Sequence, residues 1–503
     1  MGFGKPPGRG EGVRPHFQKP SRPHAGPGRS EEPGPKSGGF KGTKTGAKKQ
    51  IKPPTQKPQP QPPRLTAREA ALRVLVDIEK NKAYSNISLK RVLTAHTISP
   101  EDRRLATELV YGTLQWQLRI DWILARYLRT QIGAAEVTVI LRMAVYQILW
   151  LDRVPDSAAV DEAVKLTRSS GFDRMTGFVN SVLRKVATQR VFEDEPDRRV
   201  SVTPFLSVRY SMPEWIVRMW SQQLGEEQAE ALLSAPSQNL VSIYTNGSSD
   251  ELEEELKNRG LQYEKGRVFP QCFLVRHLGD VAADDWFTQG KYSVLGEASA
   301  WAASLVQPND GMRILDACAA PGGKSLFMAS RANCQIDAWD LHRHRVGLMQ
   351  AAIHRTSAQG ITTAVQDASE LPKPEETPYD AVIIDAPCSG LGTVAHRPEL
   401  KYRLARRDIT ALAETQKKLL TACARRVAVG GVLVYATCTV NKEENQDIIT
   451  AFLKDWPEFR ADLPAELLPP GISPERVENG GLQLLPHLDG CDGFYAARLV
   501  RRA

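Results

Sequence analysis

The chain has 503 residues, of which 41% are hydrophobic and 25% charged, and it carries a formal net charge of +8. That length allows two to four domains, each with its own core, and the composition is that of a soluble globular protein. The seven cysteines, an odd number without a C-x-x-C pair, argue against a disulfide framework or a zinc site, so any special cysteine is expected to be catalytic and the setting a reducing cytoplasm.

The basic charge is concentrated at the start. Residues 1–63 hold 13 Lys/Arg against 3 Asp/Glu, a balance of +10, and the remainder balances to −2. The same stretch carries 14 of the 34 prolines and 12 of the 37 glycines. Such a segment cannot bury enough apolar surface to offset its ordering entropy, so a disordered basic tail is expected, either solubilising or loosely tethering nucleic acid. It lacks the hydrophobic core of a signal peptide, so export is not expected.

From about Leu65 to Arg190 the apolar spacing is helical. Ala71, Leu72, Leu75, Val76 and Ile78 form one stripe, and further helices are predicted over Ser99–Thr113, Leu118–Leu128, Glu136–Leu151, Ser157–Thr167 and Thr176–Ala187. Ser99 stands three residues before Asp102 and Pro100 suits the first helical position, a plausible helix start. The apolar run Val137–Leu151 is interrupted by Arg142 and Gln147, so it is expected to be a buried helix and not a membrane span. Short polar connections point to a compact all-α bundle over 64–200. Over 201–290 the spacing gives helices at Glu214–Gln223, Glu226–Ser234 and Asp250–Arg259 with strands at Leu240–Thr245 and Cys272–Arg276, a small α+β module. Over 291–503, strands at Arg313–Asp316, Gln335–Asp340, Thr362–Val365, Asp380–Asp385 and Val432–Ala436 alternate with helices, the sign of a parallel sheet, and Gly493–Val500 reads as half of a closing hairpin.

Asp316 ends the first of these strands, and Gly322 and Gly323 then open a helix where a backbone can approach a ligand closely. Asp340 ends the second strand, at the distance past a glycine turn where a ribose is held, so a nucleoside-containing cofactor is expected. Gly323-Lys324-Ser325 matches the end of a Walker A motif, but Cys318 stands where that motif needs glycine, which argues against a nucleoside triphosphatase. Cys388 and Cys438 follow the ends of the fourth and fifth strands and are expected to face one cleft, whereas Cys272, Cys334, Cys423 and Cys491 are expected to be small buried hydrophobes and Cys318 to shape the cofactor turn. A thiolate beside a sulfonium donor has a natural use. Adding to C6 of a pyrimidine, it makes C5 nucleophilic enough to accept a methyl group, and an acid at N3, with Asp385 as candidate, stabilises the charge that develops. The residues alone leave open which cysteine adds, and which base removes the C5 proton.

With these motifs assembled, the chain over about 64–503 resembles the RsmB/NOP family of RNA cytosine-C5 methyltransferases, in the bacterial branch acting on small-subunit (16S) ribosomal RNA. The resemblance implies a multi-domain protein: an all-α NusB-like bundle that binds RNA, carried by Glu108–Gly112 and Phe178–Arg184; a small α+β RNA-binding module; and an α/β Rossmann-like methyltransferase domain. It implies S-adenosylmethionine as cofactor, held by Cys318, Ala319, Ala320, Pro321, Gly322, Gly323 and Lys324 together with Asp340, Asp367 and Asp385. It implies Cys438, in the Thr-Cys motif, as nucleophile, and Cys388, in the Pro-Cys motif, as the residue assisting product release. The expected partner is 16S ribosomal RNA or a pre-ribosomal particle, bound by a cytoplasmic monomer without metal or membrane. Two rival functions follow from the same residues, a non-catalytic RNA-binding assembly factor and a cytosine-C5 methyltransferase of another RNA such as tRNA.

Overall fold

Thr66 begins the helical region with a reciprocal cap. Its hydroxyl accepts from Glu69 N while Glu69 accepts from Thr66 N, and helix α1 (Ala67–Asn81) follows. The structure, a computed structural model, describes residues 64–502 apart from 129, 131, 191–194 and 237–239. The basic tail expected over 1–63 lies outside the described residues.

Six further helices complete the bundle: α2 (Ser85–Ala95), α3 (Pro100–Gln115), α4 (Gln117–Ala125), α5 (Ala135–Trp150), α6 (Asp156–Ser169) and α7 (Thr176–Gln189). Ser99 caps α3 as expected, its hydroxyl accepting from Asp102 N. Helix α5 is buried nearly all round. Its two polar interruptions are its cross-links: Arg142 Nε donates to Asp121 Oδ1 at 2.7 Å, and Gln147 Oε1 accepts from Arg68 Nε at 2.8 Å. Among the described residues no helix is long and apolar enough to cross a membrane.

Helices α8 (Val202–Arg209), α9 (Glu214–Leu224) and α10 (Glu226–Ser234) come next, and their apolar faces share a core with Leu391, Val440 and Leu485 of the last part of the chain. The small module then supplies β1 (Leu240–Thr245), α11 (Ser249–Asn258), β2 (Tyr263–Lys265), β3 (Cys272–Arg276), α12 (Asp285–Thr288) and β4 (Tyr292–Val294). Its antiparallel sheet has the order β2-β3-β1-β4. The fourth strand therefore comes from beyond residue 290, with Ile243 opposite Val294.

The remaining elements are α13 (Glu297–Ser304), β5 (Arg313–Asp316), α14 (Gly323–Ala329), β6 (Gln335–Asp340), α15 (Arg343–Thr356), β7 (Ile361–Val365), β8 (Tyr379–Asp385), α16 (Leu400–Arg403), α17 (Arg406–Ala424), β9 (Val427–Thr437), α18 (Gln446–Asp455), β10 (Phe459–Ala461), β11 (Val477–Glu478), β12 (Gly481–Leu484), α19 (Pro486–Asp489) and β13 (Phe494–Arg501). Among the described residues they build one sheet of order β11-β12-β13-β9-β8-β5-β6-β7, with β10 on β13. The expected parallel arrangement holds from β7 through β9. Beyond β9 it gives way to antiparallel pairing, so the whole sheet is mixed and β13 lies between β9 and β12. A parallel partner needs a crossover of a dozen or more residues, and the connection from β12 to β13 is shorter. After β5 the chain winds outward to β6 and β7, then returns to the other flank of β5 as β8. Order reverses between β5 and β8, which places a ligand crevice at their carboxyl ends.

Candidate active site

At the end of β5 the Asp316 carboxylate is fully buried, with Oδ2 accepting from Ser325 Oγ at 2.6 Å. Its other oxygen, Oδ1, is buried without a hydrogen-bond partner. Burial pushes this carboxyl up to about 6. The chain then turns at Gly322, whose φ of +102° belongs to the left-handed region that glycine enters at no steric cost. A Cβ there would also stand 3.3 Å from Met349 Cγ. Ala319 N donates to Trp339 O at 2.8 Å, so the turn is stitched to β6.

The acids expected to meet the cofactor end successive strands. Asp340 is buried at the end of β6 and accepts from His342 N at 2.9 Å. Arg345 reaches from α15 to Asp340 Oδ2 at 3.2 Å and to Ala320 O at 2.9 Å, tying that acid to the glycine turn. Asp367, half-buried just after β7, accepts from Ser369 N and Oγ at 2.9 and 2.7 Å. Asp385 ends β8 and receives the buried Lys324 ammonium at 2.6 Å. Burial opposes the charge on Lys324, but Asp385 and Asp316 outweigh it and hold the ammonium above its usual range. Lys324 thus faces the carboxylate three residues before Cys388.

Cys388 and Cys438 meet here. Their sulfurs lie 3.4 Å apart, because β8 and β9 are neighbouring parallel strands with Asp385 in register with Ala436. The Cys388 thiol donating to Cys438 Sγ holds Cys438 below the ordinary thiol range, and Lys324 and Arg397 act in the same direction against burial and Asp385. The same contact, with burial, pushes Cys388 well above that range. One centre therefore holds a thiol and a sulfur biased toward thiolate. Gly392 N donates to Cys438 O at 3.1 Å, and a Cβ on Gly392 would fall on the Gly493 carbonyl, so the loop after Cys388 lies directly against the residue that precedes β13.

Of the remaining cysteines, Cys272, Cys334 and Cys423 are buried as expected, Cys318 is half-buried in the turn, and Cys491 is also only half-buried, with its sulfur 3.3 Å from Asp492 O. Three side chains that organise the site carried no signal of their own in the sequence: Arg345, Ser389 and Glu444. Their roles arise from partners that the fold brings in, Ala320 25 residues from Arg345 and Ser389 55 residues from Glu444.

Against known proteins, the chain is 35% identical over 450 residues to a Bacillus subtilis protein named "Probable ribosomal RNA small subunit methyltransferase B", covering 87% of this chain and 99% of that one. The chain belongs to the 16S rRNA methyltransferase RsmB/F family. That family's description matches residues 303–500, and the NusB family matches residues 65–188, the span of α1–α7. The chain is an enzyme of the methyltransferase class, with the all-α bundle and the α/β domain that the sequence resemblance implied. A Thermus thermophilus ribosomal RNA small subunit methyltransferase B is 30% identical over 442 residues, covering 87% of this chain and 98% of that protein. Among solved structures, that of PH0851 superposes with a TM-score of 0.73 at 25% identity over 86% of this chain and 98% of its own. NSun6 from Pyrococcus horikoshii, solved with SFG, shares the fold at a TM-score of 0.52 and 20% identity, over 58% of this chain and 98% of its own.

Proposed function

We propose that this RsmB/F-family enzyme transfers a methyl group from S-adenosylmethionine to C5 of a cytosine in 16S ribosomal RNA, with Cys438 forming a transient covalent bond to C6. The observation that carries this reading is the pair of sulfurs, 3.4 Å apart, at the carboxyl ends of β8 and β9, beside the point where sheet order reverses between β5 and β8. The cofactor fits the crevice beside them. Asp316 Oδ1 is a buried acceptor lacking a donor, the Gly322 turn leaves room for a ligand against backbone, and Asp340 stands where ribose hydroxyls are held. The relatives' names and the family description support ribosomal RNA as substrate.

When bound, S-adenosylmethionine supplies an electrophilic methyl group on its sulfonium sulfur. The protein's part is to make a cytosine carbon able to take it. Cys438, biased toward thiolate by the Cys388 thiol, adds to C6, and electron density moves toward C5. Asp385 is the acid at N3 and, with the Lys324 ammonium 2.6 Å from it, offsets the charge that develops there. Cys388 lies beside the sulfur that must leave and assists the elimination in which C5 loses its proton, the C6–Cys438 bond breaks and the product is freed. The target cytosine has to be unstacked to reach this crevice, so a single-stranded or flipped nucleotide is bound.

Methyl transfer from radiolabelled S-adenosylmethionine to 16S ribosomal RNA or a fragment of it tests the scheme. Cys438→Ala is expected to lose transfer, and Cys388→Ala is expected to accumulate a protein–RNA adduct that survives denaturing electrophoresis. Normal turnover by Cys438→Ala would overturn the covalent route. A Cys388→Ala enzyme that turns over freely without adduct would overturn the release role.

A further inference from the structure

Behind the two sulfurs lies a carboxylate that the reaction scheme does not use. Glu444 is fully buried at the end of the 3-10 turn Lys442–Glu444. Its Oε1 accepts from Ser389 N at 2.8 Å and Gln416 Nε2 at 3.1 Å, and its Oε2 accepts from Ser389 Oγ at 2.5 Å and Asn441 Nδ2 at 3.1 Å. A carboxylate has acceptor positions for about four donors, so the protein itself fills them and leaves none for substrate or cofactor. Removing a charged group from water is costly and is tolerated where such a set of donors replaces the solvent.

What Glu444 holds explains its place. Ser389 directly follows Cys388, and its hydroxyl, committed to Glu444, accepts in turn from Thr439 Oγ1 at 2.7 Å. Thr439 directly follows Cys438. The neighbouring Asn445 takes the other flank, accepting from Thr437 Oγ1 at 2.6 Å and donating to Thr439 O at 3.1 Å. The residues adjoining both cysteines are thus fastened to one two-residue span.

We infer that Glu444 is the positioning residue of the two-cysteine centre, setting the Cys388–Cys438 separation from behind through Ser389 and Thr439. The inference rests on the covalent reading proposed above. Glutamine cannot substitute silently. Its amide nitrogen would face either Ser389 N–H with Gln416 Nε2 or the Asn441 Nδ2 donor, a donor–donor clash in both orientations. The centre would then relax, and the Cys388 thiol would no longer be aimed at Cys438.

Glu444→Gln, Ser389→Ala and Cys438→Ala are to be assayed side by side in the full-length enzyme, with folding followed by thermal melting. A misplacement of about 1 Å costs about 100-fold in rate, so Glu444→Gln is expected to lower kcat by about that factor while KM for RNA and for the cofactor stays within about threefold. The rising limb of its kcat–pH profile is expected to move to higher pH. Cys438 then loses its Cys388 donor and is left among Asp385, Lys324 and Arg397. Ser389→Ala deletes a single hydroxyl, keeps the test open should Glu444→Gln fold poorly, and is expected to shift the profile the same way with a loss of about tenfold. Native kcat with an unmoved pH profile in Ser389→Ala or in folded Glu444→Gln, beside an inactive Cys438→Ala, would overturn the positioning role. Turnover by Cys438→Ala would instead overturn the covalent reading beneath it.

Discussion

Two sulfurs at 3.4 Å make unequal partners, because a shared proton sits on one of them. Cys388 is the largest influence lowering Cys438, and the exposed Arg397 contributes through charge alone. A thiol whose folded value is depressed is deprotonated at lower pH, and removing the cause moves its titration up. In the native enzyme, alkylation of Cys438 by iodoacetamide is therefore expected to reach half its maximal rate below the ordinary thiol value of about 8.5. Arg397→Ala is expected to raise that midpoint, with the shift shrinking in high salt. Cys388→Ala is expected to raise it further. A midpoint unchanged in both variants would mean that neither group biases Cys438. The acids at this scale were readable from sequence because each ends an apolar strand: Asp316, Asp340 and Asp385 stand where the hydrophobic run stops. Glu444 was not readable. Lys442-Glu-Glu-Asn445 has the look of a solvated charge run, and only the fold brings Ser389 and Gln416 to it from 55 and 28 residues away.

At the scale of elements, the short helix α16 and the residue before it fasten the catalytic sheet to the bundle. Glu399, buried, accepts from Ser85 N and Oγ at 3.1 and 2.9 Å at the amino end of α2. That is the end of a helix where a negative group is favoured. Arg403 donates to Ala83 O. Lys401 is fully buried and donates to Gln115 O at 2.8 Å, and burial lowers it to about 7. A lysine whose folded value lies below its unfolded one binds fewer protons when folded between those two values, so its burial cost is fully present below pH 7 and fades as pH rises toward about 10.4. Lys401→Met is expected to stabilise the protein by about 2–4 kcal/mol at pH 6, and by less than half as much at pH 9, in urea unfolding. Equal effects at both pH values would show that the ammonium carries no such cost. Helix α2 itself escaped sequence reading, since Ser85, Ser88, Leu89 and Val92 make a buried stripe too thin and polar to stand out. Strand β9 ran longer than expected for a related reason. Gly430 and Gly431 read as a break, and the ladder passes them with a shift of register between Tyr379 and Ala381.

For the molecule as a whole, the charge is unevenly distributed along the chain. The sheet, the small module and the bundle, residues 64–503, balance to −2, while residues 1–63 balance to +10. An RNA phosphate backbone is held largely by cations that release condensed counterions, and each phosphate neutralised on a single strand adds about 0.7 to the slope of log affinity against log salt. If the basic tail supplies a large part of that contact, an enzyme lacking residues 1–63 binds the same RNA fragment more weakly at low salt and with a slope shallower by several units. At high salt, where the tail is screened, the two proteins converge. The residues placed at the crevice, Asp316 to Cys438, all lie far along the chain from that segment, so S-adenosylmethionine affinity is expected to stay within about twofold, a change under 0.5 kcal/mol. Parallel slopes for the two proteins would place the phosphate contacts within residues 64–503, where positive patches must then stand out against a net charge of −2.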